Sequence, residues 1–239
     1  ITGGGTGLGF AMAKCFVQAG ADVVITGRRE DMLKEAVKQL GPKADYRVFD
    51  VTDTANAVPF VETLTQEIGP VSILVNNAGR HCKKPVLDVT QEDLQSVLDV
   101  HLMGSFALTK AVVPGMLERK KGNILFISSM SAYLGMTQVT AYSAAKSAVL
   151  GLVKTLSGEL ADKGIRVNAI APGFIDTPMF RKAVESDIPR QQKIIGHTPM
   201  GCYGDPMDIG WAAVYLTSPA ARFVTGVCLP VDGGCCIGF

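Results

Sequence analysis

The stretch Thr2-Gly3-Gly4-Gly5-Thr6-Gly7-Leu8-Gly9 is a glycine-rich turn that leads into a segment with helical periodicity. It fails the strict G-x-G-x-x-G spacing but fits the looser T-G-x-x-x-G-x-G. Glycine lacks a Cβ, so the backbone of such a turn can approach a pyrophosphate at the N-terminus of the next helix. Glycine-rich turns also occur without any ligand, but this position within a βαβ pattern favours a dinucleotide site. The residues predicted to contact the dinucleotide here are Gly3, Gly5, Thr6, Gly7, Leu8 and Gly9.

Short β-branched runs alternate with helical patterns along the rest of the chain. Their interiors are nearly continuous apolar runs, which is typical of parallel strands covered on both faces. The predicted strands are Asp22–Thr26, Tyr46–Phe49, Val71–Val75, Asn123–Ser128, Ile165–Ile170 and Val227–Val231. With a first strand ending at Ile1-Thr2, they predict an α/β fold: one doubly wound Rossmann-type domain over residues 1–239, with a seven-stranded parallel sheet and helices on both faces.

Composition excludes several classes of protein. The chain has 239 residues, of which 47% are hydrophobic, so it can fill a core and is not intrinsically disordered. Lys and Arg total 23 against 22 Asp and Glu, so no overall field favours nucleic acid or an anionic membrane. Six cysteines without C-x-x-C or His/Cys spacing predict no metal site and a reduced, cytoplasmic setting. Since the chain opens inside the glycine motif, we expect further residues upstream.

The adenine ribose of a bound dinucleotide is expected to meet the end of the second strand, about 20 residues after the glycine turn. The chain reads Thr26-Gly27-Arg28-Arg29 there and offers no carboxylate for a ribose 2′-hydroxyl. The guanidinium of Arg28 could pair with a 2′-phosphate, or both arginines could be solvated residues opening the next helix. This favours NADP as the cofactor, with NAD possible.

Tyr142-Ser143-Ala144-Ala145-Lys146 lies on a predicted helix, which places the phenol and the ammonium on one face. A lysine charge about 5 Å from the phenol contributes roughly 3 kcal/mol at an effective dielectric near 20, or about two pKa units. Such a tyrosine is a usable general acid/base. Ser129 lies at the end of a predicted strand, on the sheet edge where doubly wound folds bind ligands.

Taken jointly, these motifs resemble the short-chain dehydrogenase/reductase family over essentially the whole chain. The matching segments are Thr2–Gly9, Asp50-Val51, Asn76-Asn77-Ala78-Gly79, Ser129, Tyr142-x-x-x-Lys146 and Pro172-Gly173-Phe174-Ile175-Asp176-Thr177. The resemblance implies Tyr142 as the acid/base, Ser129 as the residue orienting the substrate oxygen, and Lys146 as the residue that tunes Tyr142 and holds the nicotinamide ribose. It implies further cofactor contacts at Asp50, Val51, Asn77, Ala78, Gly79, Pro172, Gly173, Ile175 and Thr177, with Gly79 and Gly173 letting the backbone approach the cofactor.

One position departs from the family pattern, because Val100-His101-Leu102 replaces the usual V-N-L. In relatives that Asn helps hold a water in a proton path. His101 could keep the backbone role, could shuttle a proton through its imidazole, or could mark a weakened relay. It could equally be a histidine packed at a helix kink.

The substrate is less closely defined by the sequence. The resemblance implies a lid from Met179 to about His197, and Arg80-His81-Cys82-Lys83-Lys84 is a basic cluster that could receive a carboxylate or phosphate, or could be a solvated loop. We expect an oxidoreductase that interconverts a secondary alcohol and a ketone, with a small-molecule substrate such as a sugar acid or polyol. The alternatives are a 3-oxoacyl thioester reductase and a non-catalytic dinucleotide sensor.

Two long predicted helices suggest an assembly. Gln91–Leu117 and Tyr142–Ala161 carry apolar surface beyond one stripe facing the sheet. Relatives pair these helices, so we expect a homo-oligomer, either a tetramer or a dimer.

Overall fold

The computed structural model describes residues 1–237, apart from the side chains of Met179 and Ala183. Residues 238–239 of the predicted domain therefore lie outside the described part. The strands are β1 (Val23–Gly27), β2 (Ala44–Val48), β3 (Ile73–Asn76), β4 (Gly122–Ile127), β5 (Ile165–Pro172) and β6 (Cys228–Val231). Each of the six predicted internal strands is present, with ends shifted by at most two residues.

The strands form two parallel groups, β2-β1 and β3-β4-β5-β6, which the first two residues join. The amide of Thr26 donates to the carbonyl of Ile1 at 2.9 Å, and Thr2 donates from its own amide to the carbonyl of Val75 at 3.0 Å. Thr2 and Thr26 also form a parallel bridge. The predicted first strand is thus reduced to a two-residue seam, and the sheet runs β2, β1, seam, β3, β4, β5, β6.

Helices cover both faces of this sheet. They are α1 (Gly7–Gln18), α2 (Glu30–Leu40), α3 (Ala57–Glu67), α4 (Gln91–Leu98), α5 (Ser105–Arg119), α6 (Thr140–Leu160), α7 (Pro178–Val184), α8 (Ile188–Gly196) and α9 (Pro206–Thr217). Short 3₁₀ turns lie at Thr54–Asn56, Val86–Asp88, Met130–Ala132, Ala161–Lys163 and Pro219–Ala221.

Alternate residues of the central strands fill two separate cores. On β4, Leu125 and Ile127 belong to the core under α1, α2 and α9, whereas Ile124 and Phe126 belong to the core under α3, α5 and α6. Successive side chains of a strand point to opposite faces, which explains why this strand is apolar throughout. The fold class predicted from the apolar runs is confirmed.

The predicted helix Gln91–Leu117 is present as one helical stretch, Gln91–Arg119, but its middle is not a regular α-helix. Residues Asp99–Gly104 form a π-helical turn within it, and this turn contains His101. A Cβ on Gly104 would lie 2.4 Å from the carbonyl oxygen of Val51, so the widened turn brings helix backbone against the segment that follows β2. Insertions of this kind occur mostly as single turns, frequently at functional sites.

The same helical stretch, Gln91–Arg119, is long and apolar enough to cross a membrane by length and composition alone. Core helices of soluble proteins pass the same test, and 39% of its most apolar window is buried inside the structure. We draw no assignment to a membrane from it.

The segment predicted to be a lid consists of α7 and α8. Thr177 caps α7 by accepting a hydrogen bond from the amide of Phe180 at 3.2 Å, and Asp187 caps α8 by accepting from the amide of Arg190 at 3.0 Å. The segment is anchored at its start, where Ile175 bridges Gly204. The side chain of Met179, the first residue of the predicted lid, lies outside the described part.

Candidate active site

Five segments meet at the carboxyl edge of the sheet. The glycine turn follows the seam, Asn77 follows β3, Ser129 follows β4, and Pro172 ends β5. Since the strands are parallel, all of these ends lie on one side, and α6 brings Tyr142 to the same edge. Most of the residues that the sequence singles out are therefore neighbours in space.

The glycine turn depends on the absence of side chains at three positions. Gly3 has a φ of 63°, and a Cβ on Gly9 would lie 2.2 Å from the carbonyl oxygen of Gly3. Gly7 has a φ of 55°, and a Cβ added there would meet no described atom within 4 Å. Helix α1 begins at Gly7, and its first turn carries no acidic side chain. The N-terminus of α1 is therefore suited to a pyrophosphate, which fits a dinucleotide.

Asn77 and Ala78 hold this turn in place. The hydroxyl of Thr2 accepts from the amides of Asn77 and Ala78, each at 2.9 Å, and the side-chain amide of Asn77 donates to the carbonyl of Thr2 at 2.8 Å. The sequence resemblance assigns these residues to the cofactor floor. The structure adds that they tie the glycine turn to the end of β3.

Close packing within the protein leaves no room for a side chain at Gly79 or at Gly173. A Cβ on Gly79 would lie 2.7 Å from Cε1 of His101, and one on Gly173 would lie 2.6 Å from the Cα of Asp232. The interpretation that these glycines only admit the cofactor is therefore incomplete. Both are required by close packing against neighbouring residues.

The ribose-side residues are at the surface. Arg28 follows β1 with 77% of its side chain exposed, and its guanidinium lies 3.9 Å from the carboxylate of Asp50. Asp50 also accepts from the amide and the hydroxyl of Thr52, at 3.0 and 2.9 Å. Arg29 is exposed and precedes α2, while Val51 is buried. An exposed ion pair of this length contributes little, so Arg28 can exchange Asp50 for a phosphate at small cost.

Ser129, Tyr142 and Lys146 are brought together as expected. The Nζ of Lys146 lies 5.5 Å from the ring centroid of Tyr142 and donates to the carbonyl of Ile127 at 2.5 Å. Ser129 is within hydrogen-bonding reach of Tyr142 and accepts from the amide of Ser131 at 3.1 Å. The three functional groups thus converge at the end of β4.

The electrostatics of this trio differ from the sequence-based expectation. Lys146 is buried, with 4% of its surface exposed, and burial lowers its pKa to about 7. Burial also raises the pKa of Tyr142, and the hydrogen bond with Ser129 opposes that rise. Burial is therefore the largest influence on the pKa of both groups.

His101 lies in the π-helix, 3% exposed, with its ring edge-on to Tyr142 at a centroid distance of 5.4 Å. Its Nε2 is 3.1 Å from the amide nitrogen and 2.8 Å from the carbonyl oxygen of Arg80. Burial, with Lys146 adding to it, lowers the pKa of His101 to about 3. The imidazole is therefore neutral across the physiological range.

Sequence reasoning missed the position of His81. Its ring meets Tyr142 edge-on at 5.1 Å, on a loop that follows the Asn-Ala-Gly motif. Partial burial lowers the pKa of His81, and the positive charges of Lys83 and Arg190 lower it further. Lys84, by contrast, is paired with Asp93 at 2.6 Å. The basic cluster therefore divides, with His81 facing the phenol and Lys84 turned to α4.

The remaining expected contacts lie at the end of β5. Ile175 is buried and Pro172 closes the strand, while the hydroxyl of Thr177 is engaged as the cap of α7. A contact of Ile175 or Thr177 with a carboxamide stays a prediction. Among residues 1–237, no group of three or more His, Cys, Asp or Glu side chains could hold a metal ion, and all six cysteines there are free thiols.

Comparisons with known proteins agree with this geometry. Residues 3–236 match a family described as Enoyl-(Acyl carrier protein) reductase. The chain is 36% identical over 237 residues to the 3-oxoacyl-(acyl-carrier-protein) reductase FabG of Thermotoga maritima, covering 98% of this chain and 95% of the relative. The chain belongs to the short-chain dehydrogenase/reductase family. The predicted family and oxidoreductase class are confirmed.

Other members of the short-chain dehydrogenase/reductase family act on sugar acids, as their names state. A 5-keto-D-gluconate 5-reductase of Escherichia coli K12 is 36% identical over 237 residues, covering 98% of this chain and 93% of that protein. A gluconate 5-dehydrogenase of Burkholderia cenocepacia J2315, whose structure is in complex with NADP and tartrate, superposes with a TM-score of 0.93. It is 34% identical, with 98% of this chain and 93% of that chain covered.

Proposed function

We propose that this protein is an NADP(H)-dependent oxidoreductase that interconverts a secondary alcohol and a ketone within a single domain. The observation that carries the proposal is the convergence of Ser129, Tyr142 and Lys146 beside a glycine turn that excludes side chains. A non-catalytic dinucleotide sensor would have no need of a buried lysine and a serine around one phenol.

In the reducing direction, Tyr142 gives its phenolic proton to the carbonyl oxygen of the substrate. Ser129 donates a hydrogen bond to the same oxygen and so fixes the position of the carbonyl. The nicotinamide, when bound, supplies the hydride to the carbonyl carbon. Lys146, whose pKa lies near 7, holds a proton that can replace the one lost from Tyr142 at neutral pH.

The cofactor is NADP rather than NAD on the strength of Arg28. Its exposed guanidinium at the end of β1 stands where a 2′-phosphate is expected, and Asp50 is engaged with Thr52. The glycine turn and the N-terminus of α1 would hold the pyrophosphate. The relative from Burkholderia cenocepacia with bound NADP supports this choice.

The substrate is a small hydroxy or keto acid of the sugar-acid type. His81 faces Tyr142, and the charges of Lys83 and Arg190 reach His81 from the loop and from α8. Cationic side chains near His81, which contacts the phenol, suit a carboxylate. The second candidate is a 3-oxoacyl thioester, which the similarity to the FabG reductase favours.

The protein acts as a homo-oligomer in the cytoplasm. Met103 of the π-helix and Phe106 of α5 are exposed apolar side chains on the helices expected to pair. Burying such residues between copies is favourable, at about 25 cal/mol per Å². Size-exclusion chromatography with light scattering tests this, and a monomer at micromolar concentration would contradict it.

Tyr142→Phe tests the chemistry. Removing the phenolic hydroxyl is expected to lower kcat by roughly two orders of magnitude or more, because general acid catalysis is lost. NADPH affinity should stay within a few-fold of the wild type. Rates are measured with ketogluconates, polyol-derived ketones and 3-oxoacyl thioesters, each with NADPH and then NADH. Normal turnover by the Phe variant would rule the mechanism out, and preference for thioesters would overturn the sugar-acid assignment.

A further inference from the structure

His101 contacts two parts of the chain that are far apart in sequence, the start of α6 and the loop after β3. Its imidazole lies edge-on to Tyr142, fills the space beside the Cα of Gly79, and reaches the backbone of Arg80 through Nε2. Only 3% of the surface of His101 is exposed, so these contacts are buried. The contacts extend over 21 residues of sequence, from the π-helix to the loop after β3.

The loop that His101 reaches carries the groups nearest the phenol. His81 is the next residue after Arg80 and meets Tyr142 from another side, at 5.1 Å and an interplanar angle of 87°. At the far end of this loop, the amide of Lys84 donates to the carbonyl of Gln138 at 2.9 Å. The loop is thus fastened at its start by His101 and at its end by Gln138.

The geometry points to His101 as a positioning residue: its Nε2 fastens the backbone of Arg80 and thereby sets His81 against Tyr142 in the substrate site. The imidazole acts as a spacer and a hydrogen-bonding group, and it carries no proton between substrate and solvent. The kinetic part of this inference rests on the proposed function, whereas the structural part stands without it.

Two substitutions separate a hydrogen-bonding role from proton transfer. In His101→Gln the side-chain amide reaches about as far as Nε2 and can bond the Arg80 backbone, but it does not titrate near neutral pH. In His101→Asn the amide is too short to reach. We expect His101→Gln to retain KM within about threefold and an unchanged pH profile, and His101→Asn to raise KM at least tenfold. Equal loss of kcat in both variants, with a changed pH profile, would show proton transfer and overturn the inference.

A double-mutant cycle tests the contact itself. Gly79→Ala places a methyl group 2.7 Å from Cε1 of His101, so it is expected to raise KM markedly in the wild-type background. In the His101→Asn background the colliding atom is gone, and adding Gly79→Ala should change KM less than twofold. Gly158→Ala, on α6 with no described atom within 4 Å of the added methyl, is the matched control and should have no effect. Additive effects of Gly79→Ala and His101→Asn would contradict the proposed contact.

Hydrogen exchange on cofactor-free protein gives a readout that does not depend on activity. Amides of residues 80–84 should exchange roughly tenfold faster in His101→Asn than in the wild type, because one of the two fastenings is lost. His101→Gln should exchange like the wild type. Unchanged exchange in His101→Asn would sink the inference even if the enzyme is active. If exchange is faster in His101→Asn but the wild-type protein reduces no ketone, the hydrogen bond of His101 to the loop is supported and the proposed function is refuted.

Discussion

Arg28→Ala is expected to convert an NADPH-selective protein into one with little preference between NADPH and NADH. The guanidinium is 77% exposed and pairs with Asp50 at 3.9 Å, and an exposed pair contributes about 0 to 1 kcal/mol. A charge-assisted hydrogen bond to a phosphate contributes about 1.5 to 3 kcal/mol. The difference, about 0.5 to 3 kcal/mol, corresponds to a loss of roughly 2- to 150-fold in NADPH affinity. NADH lacks the 2′-phosphate, so its affinity should change less than twofold.

The assay is titration of the purified protein with each nucleotide, followed by the rise in bound-nicotinamide fluorescence or by calorimetry. Lys38→Ala, which removes one positive charge from the last turn of α2, controls for a general electrostatic effect. It should leave both affinities unchanged. Equal losses of NADPH and NADH affinity in Arg28→Ala, or no loss at all, would refute the assignment of the 2′-phosphate to this residue.

Three further substitutions address the cofactor turn, the buried lysine and the start of α4. Gly9→Ala should abolish cofactor binding, measured by the same titration, since its methyl would lie 2.2 Å from the carbonyl of Gly3; retained affinity would contradict that contact. Burial lowers the pKa of Lys146 in the folded protein to about 7, whereas an exposed lysine in the unfolded chain titrates above about 10. Between these pH values the unfolded chain therefore carries one more proton than the folded protein. The free energy of unfolding of the wild type, relative to that of Lys146→Met, should therefore rise by up to about 1.4 kcal/mol per pH unit. If denaturant titrations show no change in this difference with pH, the lowered pKa is refuted. Thr90→Ala removes the N-cap hydroxyl that accepts from the amide of Asp93 and should lower the free energy of unfolding by about 1 kcal/mol, with no change in m-value.

Much of the architecture is predictable because its causes are local. A strand buried on both faces must be apolar throughout, so runs such as Ile124 to Ile127 identify β4 without any tertiary information. The i, i+4 spacing of Tyr142 and Lys146 puts both on one face of α6 for the same reason. Parallel strands then bring Ser129 to the phenol.

Features that depend on contacts across the fold escape sequence reasoning. The π-helix around His101 forms where Gly104 meets Val51, which lies more than fifty residues earlier. The pKa of Tyr142 is raised chiefly by burial, which the i, i+4 spacing does not reveal. His81 faces the phenol only because the loop after β3 turns back over α6, and its place directly after Asn-Ala-Gly was the available signal.

The glycine turn and the loop of residues 80–84 are held in place by different contacts, so they differ in which substitutions they tolerate. The glycine turn is tied to the centre of the sheet by four hydrogen bonds through Thr2 and Asn77, so a change there disturbs the whole molecule. Residues 81–83 lie between the contacts of Arg80 with His101 and of Lys84 with Gln138. Three successive side chains can thus be exchanged without touching the nucleotide cradle. New substrate preferences can be selected, or designed, at this short segment while the glycine turn is inherited unchanged, and an exchange at His81 also alters its contact with Tyr142.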